Sequence, residues 1–116
     1  MEKVINKLVR DNIPNIIENN GEKVITRILG DDEYKKELCK KLLEEANEVI
    51  NAKSSDETLE ELADVLEVLK AIAELKNKNL EDIIEIANRK KLERGCFKKR
   101  IFLEKTMKKA SESIWN

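Results

Sequence analysis

The chain has 116 residues, and its 23 basic and 24 acidic residues leave a net charge of −1, which excludes a general nucleic-acid binder and a polybasic membrane anchor. That length gives one domain with one modest core, built from Leu, Ile, Val and Ala because aromatics are only 3% of the chain. There is no histidine, which removes a Ser-His-Asp triad, a Cys-His dyad, the usual catalytic zinc sites and the Glu-x-x-His di-iron bundle site.

The opening MEKVINKLVR lacks the apolar region of a signal peptide. No apolar run approaches the roughly 20 residues of a membrane span. The expected compartment is the cytosol. Pro14 suits the first turn of a short helix capped by Asp11 or Asn12, running to about Asn20 and stopping at Gly21. Residues 22–29, EKVITRIL, mix β-branched residues with partial alternation and read as a short extended segment without an evident strand partner.

After Gly30, Asp31 or Asp32 caps a helix to about residue 52, with Leu38, Leu42, Ala46, Val49 and Ile50 at helical spacing. Ala52 to Asp56 is a turn, and Ser55 or Asp56 caps a second helix over about 57–76. Leu59, Leu62, Ala63, Leu66, Leu69, Ile72, Ala73 and Leu75 give it an apolar face too wide for one partner helix. That width predicts a central position or a subunit interface. A further helix starts near Leu80, uses Ile83, Ile84, Ile86 and Ala87, and ends at Gly95. The fold expected is all-α: an antiparallel helical hairpin around 32–76, completed by oligomerisation. One domain covers residues 1–104. Residues 105–116 form a polar tail, in which Trp115 either docks on the body or on a second subunit or is an incidental exposed residue. Cys39 and Cys96 form no metal-spacing motif and read as free, partly buried thiols.

Two short acidic repeats stand out: Glu45-x-x-Glu48 and Glu61-x-x-Asp64, preceded by Glu44 and Glu60. On a helix each pair shares one face, about 5–6 Å apart at Cβ. In a chain that is 41% charged, such pairs arise by chance on any solvated helical face, and Glu57, Glu67, Glu74 and Glu81 are read that way. Placement separates the two repeats from that background. Glu45 stands in the row of Leu38, Leu42 and Val49, and Glu61 in the row of Val65, Val68 and Ile72. A carboxylate on a core-facing row costs several kcal/mol unless paired or metal-bound. The twelve residues between Glu48 and Glu61 allow a turn and a return, so two antiparallel helices bring the four acids together. Oxygen-only ligands suit Mg²⁺, with Mn²⁺ as the substitute.

Basic residues cluster at Lys3, Lys7 and Arg10, and again at Arg89-Lys90-Lys91, Arg94 and Lys98-Lys99-Arg100. Singly, each is an ordinary solvated charge. Beside a carboxylate metal site they complete the parts needed for a polyphosphate.

With these blocks the chain resembles the all-α nucleoside triphosphate pyrophosphohydrolases, the group containing MazG and phosphoribosyl-ATP pyrophosphohydrolase. Its signature, Glu-Glu-x-x-Glu followed by Glu-x-x-Asp, is matched by Glu44-Glu45-Ala46-Asn47-Glu48 and Glu61-Leu62-Ala63-Asp64. The chain is most similar to a small single-domain subgroup. That subgroup opens with Lys-Leu-Val-Arg-Asp-x-Ile-Pro, matched by Lys7 to Pro14, and closes with a segment matched by Lys90 to Phe102. Cys96 departs from the small residue expected there, and the tail after Glu104 is longer.

The resemblance implies Mg²⁺-dependent hydrolysis of a nucleoside triphosphate between its α and β phosphates, giving monophosphate and pyrophosphate in a house-cleaning role. It implies Glu45, Glu48, Glu61 and Asp64 as metal ligands, with Glu44 and Glu45 in the catalytic step and Glu44 orienting or deprotonating water. Lys7, Arg10, Lys91, Arg94 and Arg100 become the phosphate contacts. The expected partners are a nucleotide and a second copy of the chain, as a homodimer or higher homo-oligomer, with no membrane and no stable nucleic-acid complex. Two other readings stand beside it: phosphoribosyl-ATP pyrophosphohydrolase, with the same chemistry on another substrate, and a non-catalytic helical nucleotide-binding module.

Overall fold

The computed structural model describes residues 2–110; Trp115 and the end of the expected tail lie outside them. Four helices follow one another: α1 (Ile13–Asn19), α2 (Asp31–Asn51), α3 (Ser55–Leu75) and α4 (Leu80–Arg94). No strand occurs among the described residues, so the fold is all-α as expected, and 22–29 carries no regular structure. The chain divides into two compact units, one up to Ile84 and one from Glu85. Helices α1 to α3 lie in the first unit, and α4 begins in the first and ends in the second.

The helix ends follow local chemistry, with two corrections to the expected caps. Helix α2 starts from Gly30 rather than from Asp31 or Asp32. Both aspartates and Glu33 occupy its first turn, where negative charge complements the exposed N–H groups of the helix end. Ser54, not Ser55 or Asp56, caps α3: its φ of −144° keeps it outside the helix, and its Oγ accepts from the Glu57 backbone N–H at 3.1 Å. A cap absent from the sequence reading starts α4. The Asp82 N–H donates to Asn79 Oδ1 and the Asn79 N–H to Asp82 Oδ2, both at 2.9 Å, which satisfies two N–H groups reciprocally. Helix α1 has Pro14 in its first turn. Gly21, at φ 95°, takes the left-handed turn after it, which a residue with a Cβ adopts only at a cost.

Three residues, Ala52 to Ser54, join α2 to α3, so the two long helices return antiparallel and pack on each other. On α2 the inward row is Tyr34, Leu38, Leu42, Glu45 and Val49. On α3 it is Glu61, Asp64, Val65, Val68 and Ile72. Leu38 is 3% exposed, and only Val68 and Ala73 join it as buried apolar residues among those described. The expected core is therefore thin. Ile50, expected on the packed row, is 77% exposed, one position out of phase with Val49. Cys39 and Cys96 are free, and both are exposed rather than partly buried. Cys39 sits one residue past the inward-facing Leu38.

Helix α3 carries a second apolar row. Leu59, Leu62, Leu66 and Leu69 are 63, 47, 43 and 38% exposed. Their alternating spacings of three and four residues are those of a helix–helix seam. The wide face expected of this helix thus resolves into one row packed on α2 and another left open.

Candidate active site

Because Glu45 sits in the inward row of α2 and Glu61 and Asp64 in that of α3, packing the hairpin drives the three carboxylates together. One oxygen from each lies within 4.8 Å of the others. The local sequence could not have folded otherwise without moving Leu38 or Val68 out of the core, since each acid shares its row with one of them.

Crowding shows in the acid strengths. Burial, first, and then the negative charges of Asp64, Glu44 and Glu48 push the Glu45 carboxyl above its ordinary 4.5, against the pull of Lys41. Glu61 is also raised from 4.5, by desolvation and by Asp64, Glu48 and Glu45, and its protonated form donates to Asp64. Glu48 acts on both neighbours through its charge but is exposed, and its oxygens lie outside the three-carboxylate group. Of the four expected ligands, three converge.

The cations nearby are already engaged. Arg10 Nη2 donates to Asp64 Oδ1 at 2.6 Å, and Lys7 Nζ to Glu44 Oε1 at 3.1 Å. Lys41 Nζ stands 3.7 Å from both Glu44 Oε2 and Glu45 Oε1. Lys41 was not singled out in the sequence. Its i,i+3 and i,i+4 offsets from Glu44 and Glu45 were the signal that could have found it. A cleft of about 230 Å³ adjoins Glu44, lined by Asn6, Lys7, Leu8, Glu37, Lys40 and Lys41. Five carboxylates (Glu44, Glu45, Glu48, Glu61 and Asp64) against Lys7, Arg10 and Lys41 leave two negative charges uncompensated, the charge of one divalent cation.

The donor set fits such a cation. Two oxygens on one ion stand no further apart than twice the bond length, about 4.2 Å for Mg²⁺ and about 5 Å for Ca²⁺. Three carboxylate oxygens that lie within 4.8 Å of one another are close enough for side-chain rotation to bring them onto such an ion. All donors are carboxylate oxygens, which favours hard ions over zinc.

Lys91 and Arg94 occupy the last turn of α4, where positive charge complements the helix C-terminus. Arg100 follows in the second unit at φ 57°. A further cleft, lined by Ile86, Arg89, Lys90, Glu93 and Arg94, lies on α4. No helix among the described residues is long and apolar enough to cross a membrane.

Comparison with known families finds a match to the family described as phosphoribosyl-ATP pyrophosphohydrolase, over residues 15–91. That span contains the whole α2–α3 hairpin and all five acids. Neither a curated protein nor a solved structure matches the chain.

Proposed function

Because the chain belongs to the phosphoribosyl-ATP pyrophosphohydrolase family, and so is an enzyme that hydrolyses a nucleotide pyrophosphate, we propose that it cleaves a nucleoside triphosphate between its α and β phosphates, releasing the monophosphate and pyrophosphate. The observation that carries this reading is the convergence of Glu45, Glu61 and Asp64 within 4.8 Å, in a hairpin with two negative charges left to balance. Glu45, Glu48, Glu61 and Asp64 hold a divalent ion, Mg²⁺ or Mn²⁺; Glu48 joins through a side-chain rotation, since it is exposed and one helical turn from Glu45. When bound, that ion supplies Lewis acidity, activating water near neutral pH without a histidine and offsetting phosphate charge.

The chain's own groups do the rest. Glu44 orients the attacking water and takes its proton. Lys7 and Lys41 stand at its two oxygens and fix its direction. Glu45, next to Glu44 in the chain, serves the catalytic step as a ligand of the ion. Lys7, Arg10, Lys91, Arg94 and Arg100 bind the phosphate oxygens. The open row Leu59, Leu62, Leu66 and Leu69 is covered by a second copy of the chain, giving a homodimer or a higher homo-oligomer. The protein works in the cytosol on a free nucleotide, without stable nucleic-acid contact.

The family match fits a second substrate no worse, phosphoribosyl-ATP, which presents the same α–β linkage. The test is pyrophosphate release, with Mg²⁺, from a panel of nucleoside triphosphates and phosphoribosyl-ATP. Turnover of a nucleoside triphosphate is the expected result. Turnover of phosphoribosyl-ATP alone assigns the second substrate.

A further inference from the structure

The segment before α1 has no regular structure, yet it meets the acid site at two points far away in sequence. Arg10 reaches Asp64 across 54 positions and Lys7 reaches Glu44 across 37. Both contacts join an exposed cation to a carboxylate of the site. Arg10 is 54% exposed at its side chain and Lys7 55%, so neither is locked in by packing, and an ion pair this open is weak. Asp64 is also one of the three carboxylates gathered within 4.8 Å. The same oxygen set thus faces two alternative cations, a guanidinium from the chain and a divalent ion from solution. Both cannot sit on it without mutual repulsion in a site only partly open to water.

We propose that Arg10 is a built-in counter-ion of the metal site: it neutralises Asp64 while no divalent ion is bound, and Asp64 releases it when the ion arrives. The proposal rests on the reading of Glu45, Glu61 and Asp64 as metal ligands. Lys7 pairs with Glu44 in the same segment, so Arg10 is still beside the site when Asp64 releases it. The freed guanidinium, a planar fork matched to phosphate oxygens, then becomes available to the nucleotide. Metal and nucleotide are coupled by this exchange. The ion removes the internal partner that would otherwise compete with phosphate for Arg10, and the order is metal first, nucleotide second. The arrangement also explains how the acids tolerate one another in the metal-free protein, where Arg10, Lys7 and Lys41 are the only cations paired with the five acids among the described residues.

The test reads Arg10 directly. The chain has five arginines, so side-chain Nε–Hε resonances in a ¹⁵N-labelled sample are few. Arg10→Gln assigns the Arg10 signal by its loss. Arg27, paired bidentately with Glu33, serves as an internal reference that does not touch the site. Titrating Mg²⁺ without nucleotide should move the Arg10 resonance to the position of an unpaired arginine and leave Arg27 in place. Calorimetry of the same titration should show Mg²⁺ binding up to about five-fold tighter in Arg10→Gln, the scale of one open ion pair. Saturable Mg²⁺ binding with an unmoved Arg10 signal and an unchanged affinity in the variant overturns the exchange and leaves the metal site standing. Absence of Mg²⁺ binding in both proteins overturns the metal reading, and the exchange with it.

Discussion

Desolvation first, and then the charges of neighbouring carboxylates, make Glu45 and Glu61 costly to ionise. Each is raised from its ordinary 4.5, so the folded chain binds these protons more tightly than the unfolded chain does. Their contribution to metal-free stability is fully present below the unfolded value and is lost as pH rises through the raised folded values. Glu33 has the opposite sign: its hydrogen bond with Arg27 lowers it, so its contribution is present above the ordinary value and lost as pH falls through the lowered one. Glu61→Gln isolates the first effect. Without metal, the variant should melt above the wild type at neutral pH, and the gap should close in acid, where wild-type Glu61 is protonated. Thermal melts of both proteins in EDTA across that range check it, and a constant gap or none would contradict it. In the same variant the stabilisation by Mg²⁺ should shrink. At a hundred-fold excess over its dissociation constant, an ion bound only by the native state adds about 2.7 kcal/mol in the wild type. Asp64→Ala and Glu48→Ala should each abolish turnover while leaving the helical circular-dichroism signal intact. Arg94→Ala should raise KM more than it lowers kcat, because a phosphate contact acts in the ground state as well as in the transition state.

At the scale of elements, the α2–α3 hairpin positions everything, and its stability depends on few residues. Leu38 is its most buried side chain; Leu38→Ala should cost about 2–5 kcal/mol and loosen the register that aligns Glu45 with Glu61. Ser54→Ala should cost about 1 kcal/mol through the lost cap, with the metal site unchanged. Urea melts of the two variants measure both. The helices were legible because Leu38, Leu42, Glu45 and Val49, and Glu61, Val65, Val68 and Ile72, keep the 3.6-residue period, and that period also placed the two glutamates on the packed rows. Their exact starts were not legible. Ser54, Ser55 and Asp56 are all good capping residues, and only the backbone turn selects Ser54. The long-range pairs Lys7–Glu44 and Arg10–Asp64 left no periodic trace, since the segment carrying them has no regular structure. Cys39, read as partly buried, is exposed, and its position beside the inward Leu38 was the signal that could have shown it.

For the whole molecule, the thin core and the open leucine row of α3 are what a second copy of the chain covers on the proposed reading. Light scattering should give at least twice the 13.4 kDa of one chain, and Leu62→Glu with Leu66→Glu should return it to one. A monomer in dilute wild-type solution would contradict the covered row. On the proposed reading, carboxylates on the hairpin hold a divalent ion and direct water to the α–β linkage of a nucleotide. The most direct test is identification of the products from the best triphosphate substrate, with Mg²⁺ and with EDTA. The expected result is nucleoside monophosphate and pyrophosphate in equal amounts with Mg²⁺, and no turnover in EDTA. Diphosphate with orthophosphate, turnover that survives EDTA, or tight nucleotide binding without any turnover would contradict it.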